Sequence, residues 1–571
     1  MDPSEEPWWK EATFYQIYPA SFKDSNNDGW GDIPGITSKI SYLSSLGIDA
    51  IWLSPIYDSP QNDMGYDISN YQSLYPPYGT LSDLDTLIKT CHSHNLKIIM
   101  DLVINHTSSL HPWFIESSSS KTNPKRDYYI WKPPRYSPSG DILPPTNWRS
   151  YFSSSTWTFS PQTQEYYLHL YHSSQPDLNW ENPSLRKAIY EEAITFWLER
   201  GIDGFRIDTV NKYSKVQSFE DAPVTIPDSK HQPAPEYWCN GPRIHEFLHE
   251  MHTQVLDPYN AVSIGELSNT PFPEQVLPYV SAAKKELDMA HEFSIIRLGT
   301  GKNIFESKYD YTPFTLPTVK QLVEKWQVFT EGTDGWNTVF IENHDNGRCV
   351  SRFGDGSPQS AKCIGLWQAT LSGTLFIYQG QEIGMGNIPG DWEWKEYKDV
   401  ESKEALQEAG GNGDKEKVKR VEEGLRILAR DHARVPMRWN EEENGGFTGV
   451  EANPWMRAFE KGVSVESQMG DENSVLEFYR RVLKMRREYK DLFVYGRFKL
   501  LFGEDEKLFV YIQEGEHRKG LVVMNFTGEE QILPDTEEIL EGKGRLLIGT
   551  FGEDVISEYL KPWEGRVYVN F

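Results

Sequence analysis

What this chain lacks narrows it first. Only four of its 571 residues are cysteine, and Cys91, Cys239, Cys349 and Cys363 are scattered without a CxxC pair or a metal-ligand spacing. That excludes a disulfide framework and a thiolate metal centre as organising devices, and free thiols in a reducing compartment are expected. Basic charge is also short: 57 Lys and Arg face 84 Asp and Glu, for a formal net charge of -27. Nucleic acids and anionic membranes call for basic patches, so neither is expected as a partner, whereas a small neutral or cationic substrate is compatible. No run approaches the ~20 apolar residues of a membrane span. The opening stretch, "MDPSEEPWWKEATFYQIYP", has neither a basic start nor the apolar run of roughly 7–15 residues of a signal peptide. A soluble, cytoplasmic monomer is the expectation.

Aromatic residues, by contrast, are plentiful at 13%, with 19 Trp and 30 Tyr, enough for a large core and for flat stacking surfaces. Short β-rich runs alternate with amphipathic helical stretches along most of the chain. The strands are read at 13–19, 50–55, 97–106, 204–210, 262–267, 287–293, 337–345 and 374–380, with helical segments such as 81–94, 185–200 and 319–329 between them. Alternation of this kind implies parallel βαβ units, and eight of them imply a closed (β/α)8 TIM barrel in the α/β class.

Two gaps break the rhythm. Residues 107–180 are rich in Ser, Pro, Tyr and Trp without helical period. They far exceed the about 2–6 residues of an ordinary βα loop, so they read as an inserted subdomain after the third strand. Residues 384–450 are charged and glycine-punctuated ("EAGGNGDKEKVKR"), as a mobile lid after the eighth strand would be. From 494 to 571 only strand patterns remain, which predicts a C-terminal antiparallel β-domain. The expected division is a barrel from 1–106 and 181–493, the insertion, and the C-terminal domain.

Catalytic groups of a closed parallel barrel sit at the C-terminal ends of its strands. Polar residues at those ends are Asp101 and His106 on the third strand, Arg206 and Asp208 on the fourth, Glu266 on the fifth, and His344 and Asp345 on the seventh. Taken singly, each could be a strand-end charge or a satisfied hydrogen bond. Three carboxylates, Asp208, Glu266 and Asp345, at the ends of three strands are harder to explain by packing, because gathering acids costs stability. Arg206 and Asp208 lie two apart, so both side chains point the same way, and Arg206 is expected to keep Asp208 ionised. Glu266 has no cation beside it in sequence, which suits a protonated acid. One ionised and one protonated carboxyl is the requirement of glycoside hydrolysis.

These residues resemble the ordered motifs of the α-amylase family, glycoside hydrolase family 13: "DLVINH" (101–106), "GFRIDTV" (204–210), "IGEL" (264–267) and "ENHD" (342–345). Within it, the chain is similar to the α-glucosidase and oligo-1,6-glucosidase group, including yeast and fungal maltases and isomaltases. "QPDLNW" (175–180) resembles that subfamily's marker, and the likeness runs from about Trp8 to the C-terminus. The resemblance implies Asp208 as nucleophile, Glu266 as general acid/base and Asp345 as transition-state stabiliser, with no cofactor for catalysis. It implies Tyr66 and Asp67 as holders of the terminal glucose, with His106, Tyr171, Gln175, Arg206, Thr209, His344 and Arg434 around it. Implied substrates are maltose and malto-oligosaccharides, with sucrose and isomaltose as alternatives. Thr directly after the nucleophile goes with maltase-type α-1,4 activity among yeast and fungal relatives, and Val with α-1,6. Tyr171, "HDNGR" (344–348) and "VPMRW" (435–439) depart from the family's usual Phe, "HDQPR" and "TPMQW".

Three rival readings stay open: an oligo-1,6-glucosidase, a sucrose isomerase or other transglucosylase, and a non-enzymatic member like the transporter heavy chains. Separately, "DSNNDGWGD" (24–32) places Asp24, Asn26, Asp28, the Trp30 carbonyl and Asp32 at the alternating spacing of a calcium loop. Spacing alone fits equally a polar turn capped by its own side chains. The resemblance implies a structural Ca2+ (or Mg2+) there.

Overall fold

The computed structural model describes residues 6–570 except 153–154, 228, 302–304, 306–307, 412–413, 460–461, 542–543 and 553–556. Eight parallel strands form one sheet: β1 (Thr13–Ile17), β2 (Ala50–Leu53), β3 (Lys97–Leu102), β4 (Gly204–Ile207), β5 (Val262–Leu267), β6 (Met289–Glu292), β7 (Thr338–Val339) and β8 (Thr374–Tyr378). Their order, β6-β5-β4-β3-β2-β1-β8-β7, is that of a barrel opened between β6 and β7. That seam is bridged by a side chain: Thr338 Oγ1 donates to the Ala290 carbonyl at 2.8 Å. Each strand falls where the alternation of apolar residues predicts it. Most are shorter at the C-terminal end, where polar residues turn out of the ladder. β7 shrinks most, and 340–345 run on outside any strand, carrying His344 and Asp345 over the barrel mouth.

Alternation sorts the side chains. Phe14, Trp52, Ile99, Ile264, Met289 and Phe376 point inward and fill the barrel. Tyr15, Ile51, Ile98, Phe205 and Ile207 point outward into the larger core beneath the helices. Helix α1 (Leu81–Ser93) shows why these segments wind as they do. Thr80 and Asp83 form a reciprocal capping box, and Leu84, Leu87, Ile88 and Cys91 make one buried stripe. Helix α2 (Ile244–Met251) repeats the pattern with Ile244, Phe247, Leu248 and Met251. All four cysteines are free and buried.

Within 107–180 a three-stranded antiparallel sheet (Trp131–Lys132, Trp157–Ser160, Glu165–Leu168) and a hairpin (Arg135–Tyr136, Ile142–Leu143) stand apart from the barrel strands. Its apolar cluster of Trp148, Trp157, Tyr166 and Leu168 also takes in Trp238 and Phe305, so later loops complete that core. In the stretch read as a lid, charge and glycine disguised two helices, α3 (Val400–Gly411) and α4 (Lys415–Leu428). Asn412 and Gly413 between them lie outside the described residues. At the C-terminus β9 (Arg497–Leu501), β10 (Leu508–Glu514), β11 (Lys519–Asn525), β12 (Arg545–Gly549) and β13 (Gly565–Val569) make the expected antiparallel sheet, ordered β9-β10-β11-β13-β12. Tyr511 on β10 docks it to the barrel, its hydroxyl 2.6 Å from Thr370 Oγ1.

Candidate active site

The site grows from the register of three neighbouring strands. Arg206 on β4 lies opposite Asp101 on β3, and the inward face of β5 brings Glu266 alongside. Phe205 and Ile207 point into the outer core, so Arg206 points into the barrel mouth, where it is 2% exposed. Its Nη1 donates to Asp101 Oδ1 at 2.9 Å and to Asp208 Oδ1 at 2.8 Å, while Nη2 donates to Glu266 Oε2. A buried ion costs several kcal/mol unless it is paired and hydrogen-bonded. Here one cation answers for three acids.

That sharing changes the expected electrostatics. Arg206 does not hold Asp208 at an ordinary carboxylate pKa. Burial raises it, Arg206 opposes, Asp101 pushes it up further, and a hydrogen bond with Glu266 works the other way. Burial lifts Asp101 to about 6 against Arg206. Burial lifts Glu266 to about 7, with Arg206 opposing and Asp208 adding to the rise. Glu266 does have a cation after all, but desolvation outweighs it. Of the acids facing the cavity it is the one poised to hold a proton near neutrality.

Asp345 is set the opposite way. Burial alone would raise its pKa, but His344, Arg430 and Arg434 hold it well below the usual carboxylate range. Arg430 Nε and Arg434 Nη2 each lie 3.0 Å from Asp345 Oδ1. His344 stacks on Tyr66 with ring centroids 5.4 Å apart. Its Nε2 is 2.6 Å from the Tyr66 hydroxyl, which donates to Asp101 Oδ2 at 3.0 Å. Burial drives the His344 pKa down to about 3 against the pull of Asp345, so at pH 7 the ring is neutral and the two arginines supply the charge that keeps Asp345 ionised.

The predicted residues divide by position. Tyr66, His106, Tyr171, Asp208, Thr209, Glu266 and Asp345 line one cavity at the barrel mouth. Arg206, His344, Gln175 and Arg434 stand behind that wall and act on the residues that line it. Gln175 Nε2 reaches Asp63 Oδ2 at 3.3 Å and the Tyr66 carbonyl at 3.2 Å. His106 Nε2 is 2.9 Å from the same carbonyl. Asp67 is not in the wall. It is fully buried, and its oxygens accept from Ser59 Oγ (2.8 Å), Asn62 N (3.0 Å) and Asp63 N (3.3 Å), bonds that shape the turn.

Two residues the sequence reading passed over do line the cavity. Asp63 lines the cavity and accepts from Arg430 Nη2 at 3.1 Å, and Arg430 lines it too. Both lie four residues before the ones expected, Asp67 and Arg434. A turn or helix of that span presents one of two like residues to the cavity, and only the backbone path decides which.

In loop 24–32 the side chains are spent on the loop itself. Asp24 accepts from the amides of Asn26 (2.9 Å), Asn27 (2.8 Å) and Gly29 (2.8 Å) and from Thr448 Oγ1 (2.5 Å). Asn26 and Asp28 each cap an amide two residues on, to Asp28 at 2.9 Å and to Trp30 at 2.8 Å. Asp32 accepts from Ser25 and caps the helix that begins at Ile33. The donors suit a hard cation in kind, but among the described residues no three His, Cys, Asp or Glu converge to hold a metal. The self-capped turn accounts for the loop as placed.

Comparison with known proteins agrees with the geometry. The family description "Alpha amylase, catalytic domain" matches residues 16–496. The chain is 50% identical to an α-glucosidase of Candida albicans, covering 99% of this chain and 100% of that one. It is 45% identical to an oligo-1,6-glucosidase of Saccharomyces cerevisiae, covering 100% and 99%. Among solved structures it superposes on trehalose-6-phosphate hydrolase of Bacillus licheniformis with a TM-score of 0.89 at 39% identity, over 99% of this chain and 100% of the other. It superposes on an isomaltulose synthase mutant of Erwinia rhapontici, bound to its natural substrate sucrose, with a TM-score of 0.91 at 35% identity over 99% of each.

Removing the shared cation tests the cluster directly. Arg206→Met removes the ion-pair partner of three buried carboxylates, and breaking a buried pair costs about 3–5 kcal/mol. Carboxyls whose folded pKa lies above the unfolded value lose stability as pH rises through the folded value, here about 6 for Asp101 and about 7 for Glu266. Without Arg206 those values climb further. Urea unfolding of Arg206→Met should therefore show the full loss at pH 7.5 and a clearly smaller one at pH 5. An equal loss at both would contradict the account.

Proposed function

The chain belongs to the α-amylase family of glycoside hydrolases, and we propose that it is a retaining, exo-acting α-glucosidase releasing α-glucose from the non-reducing ends of short α-glucosides. The observation that carries this reading is the joint hold of Arg206 on Asp208 and Glu266. The two terminal nitrogens of one guanidinium keep the carboxyls close, in keeping with the ~5–5.5 Å of retaining enzymes.

Asp208 attacks the anomeric carbon while Glu266, protonated, gives its proton to the departing glycosidic oxygen. The C1–O bond breaks as the C1–Asp208 bond forms. Ionised Glu266 then takes a proton from water, which attacks C1 and releases Asp208 and α-glucose. A second sugar in place of water gives transglucosylation. Asp345, held ionised by its arginines, faces the positive charge that develops on the ring. Catalysis calls for no cofactor. The Asp63–Arg430 pair in the cavity wall supports exo action if the terminal glucose abuts it.

Maltose and malto-oligosaccharides are the proposed substrates. The oligo-1,6-glucosidase and sucrose-isomerase readings use the same three carboxylates and differ only in acceptor and linkage. Against a transporter-heavy-chain role stand the complete set of acids and the finding that no helix among the described residues is long and apolar enough to cross a membrane. A structural calcium or magnesium at Asp24, Asn26, Asp28, Trp30 and Asp32 would add stability and take no part in either step. Stoichiometric metal in the purified protein would support it, and a metal-free protein of equal stability would leave the self-capped turn as the whole account.

Products from maltose, isomaltose, sucrose and p-nitrophenyl α-glucoside test the reading. Proton NMR should show α-glucose as the first-formed anomer. The kcat/KM profile should fall above about pH 7, as Glu266 loses its proton. On the acid side it should fall as Asp208 gains one, at a pH above the usual carboxylate range. No turnover, or β-glucose as first product, would overturn the proposal.

Linkage preference is proposed to rest on Thr209. This β-branched residue sits in the left-handed region at φ +41°, a strained setting that aims its Oγ1 at Asp208 Oδ2, 3.2 Å away. Thr209→Val keeps the shape and deletes the hydrogen bond, which to a charged group is worth about 1.5–3 kcal/mol. The isomaltose-to-maltose rate ratio should rise several-fold. An unmoved ratio would make Thr209 a packing residue.

A further inference from the structure

Two cations in the wall of the cavity form no ion pair among the described residues. Lys212 lies in the turn that follows β4 and is 1% exposed. Its ammonium donates to the Tyr171 hydroxyl and sits 4.4, 4.9 and 5.8 Å from the ring centroids of Tyr151, Tyr171 and Trp238. Lys215, three residues on and equally buried, shows the ordinary solution, an ion pair with Asp177 at 2.7 Å. Lys308, also in the wall, is paired with Glu401 at 2.6 Å. Lys212 has no such pair among the described residues. Nor has Arg297, half-buried in the same wall, with its guanidinium 5.3 Å from the Phe293 ring centroid. In a chain with 84 acidic and 57 basic residues, two unanswered cations at one cavity are not a matter of composition. Ring contacts offset only part of the cost of burying an ammonium.

Their position tells which part of a substrate they meet. On the glucosidase reading, the glucose lies against Asp63, His106 and Arg430, which line the cavity. Glu266, the group proposed to protonate the leaving oxygen, marks the side from which the aglycone departs. Lys212 flanks Glu266, which is the strongest influence opposing the fall of the Lys212 pKa to about 8 caused by burial, and Arg297 is near enough to add to that fall. Lys212 is mostly charged at neutral pH, and on the glucosidase reading it and Arg297 lie in the wall on the side of Glu266. We propose that Lys212 and Arg297 form a cationic aglycone subsite that selects α-glucosides whose leaving group carries an anion, a carboxylate or a phosphate, about one ring beyond the cleaved bond. The inference rests on the α-glucosidase reading of the same cavity. The net charge of -27 does not forbid it, because charges more than about 8 Å away are largely screened at physiological ionic strength.

The test compares 4-carboxyphenyl with 4-carbamoylphenyl α-glucoside, near-isosteres that differ in charge. In the wild type kcat/KM should favour the carboxylate about tenfold, and the preference should shrink as sodium chloride rises. In Lys212→Met and Arg297→Gln the ratio should drop severalfold, because the ratio within each variant cancels any general loss of activity. Arg297 is nearer the surface, so its variant keeps the test alive if Lys212→Met folds poorly. Equal turnover of both glucosides by the wild type, or a preference unchanged in the variants, would overturn the subsite and leave the glucosidase standing. Turnover of neither would overturn both.

Discussion

One guanidinium shared among three carboxylates is the interaction on which the rest of this structure depends. Arg206 reaches Asp101 on one neighbouring strand, Glu266 on the other, and Asp208 just past the end of its own. Such a cluster exists only where three strands run parallel, side by side and in fixed register, with their ends facing a cavity. A one-residue slip of β4 would turn Arg206 into the outer core and Phe205 into the mouth. The apolar alternation that builds the barrel therefore also places the charge.

Sharing is what separates the roles of the acids. One cation cannot fully compensate three buried acids, so burial prevails and Glu266 keeps a proton near neutrality. Asp345 belongs to a different neighbourhood, supplied from outside the barrel. Arg430 and Arg434 follow helix α4 directly, and together with Asp399 they form a buried network that overcompensates Asp345. The stretch that looked like a lid in sequence thus carries the charges that keep the third carboxylate ionised. Environment, more than residue type, divides acid from anion.

Much of this was legible in sequence, and the limits are physical. Strands were readable because a barrel buries both faces and leaves apolar runs, and the polar interruptions in "GFRIDTV" and "VSIGEL" marked the mouth. Helices α3 and α4 were hidden by charge and glycine, since their polar faces dominate the composition. Asp63 and Arg430 were missed in favour of Asp67 and Arg434. Each pair is four residues apart, and for the acids which member meets the cavity depends on a turn that Asp67 itself caps. That Lys212 and Arg297 form no ion pair among the described residues could not be read at all, because an absent ion pair is a fact of three dimensions.

The central claim is that Asp208 attacks the sugar while Glu266 supplies the proton. Trapping with a 5-fluoro-α-glucosyl fluoride, followed by peptide mass mapping, tests it most directly. The account predicts a single glycosyl adduct on the peptide bearing Asp208. An adduct on Glu266 or Asp345, or rapid turnover through an intermediate bonded to neither, would contradict it.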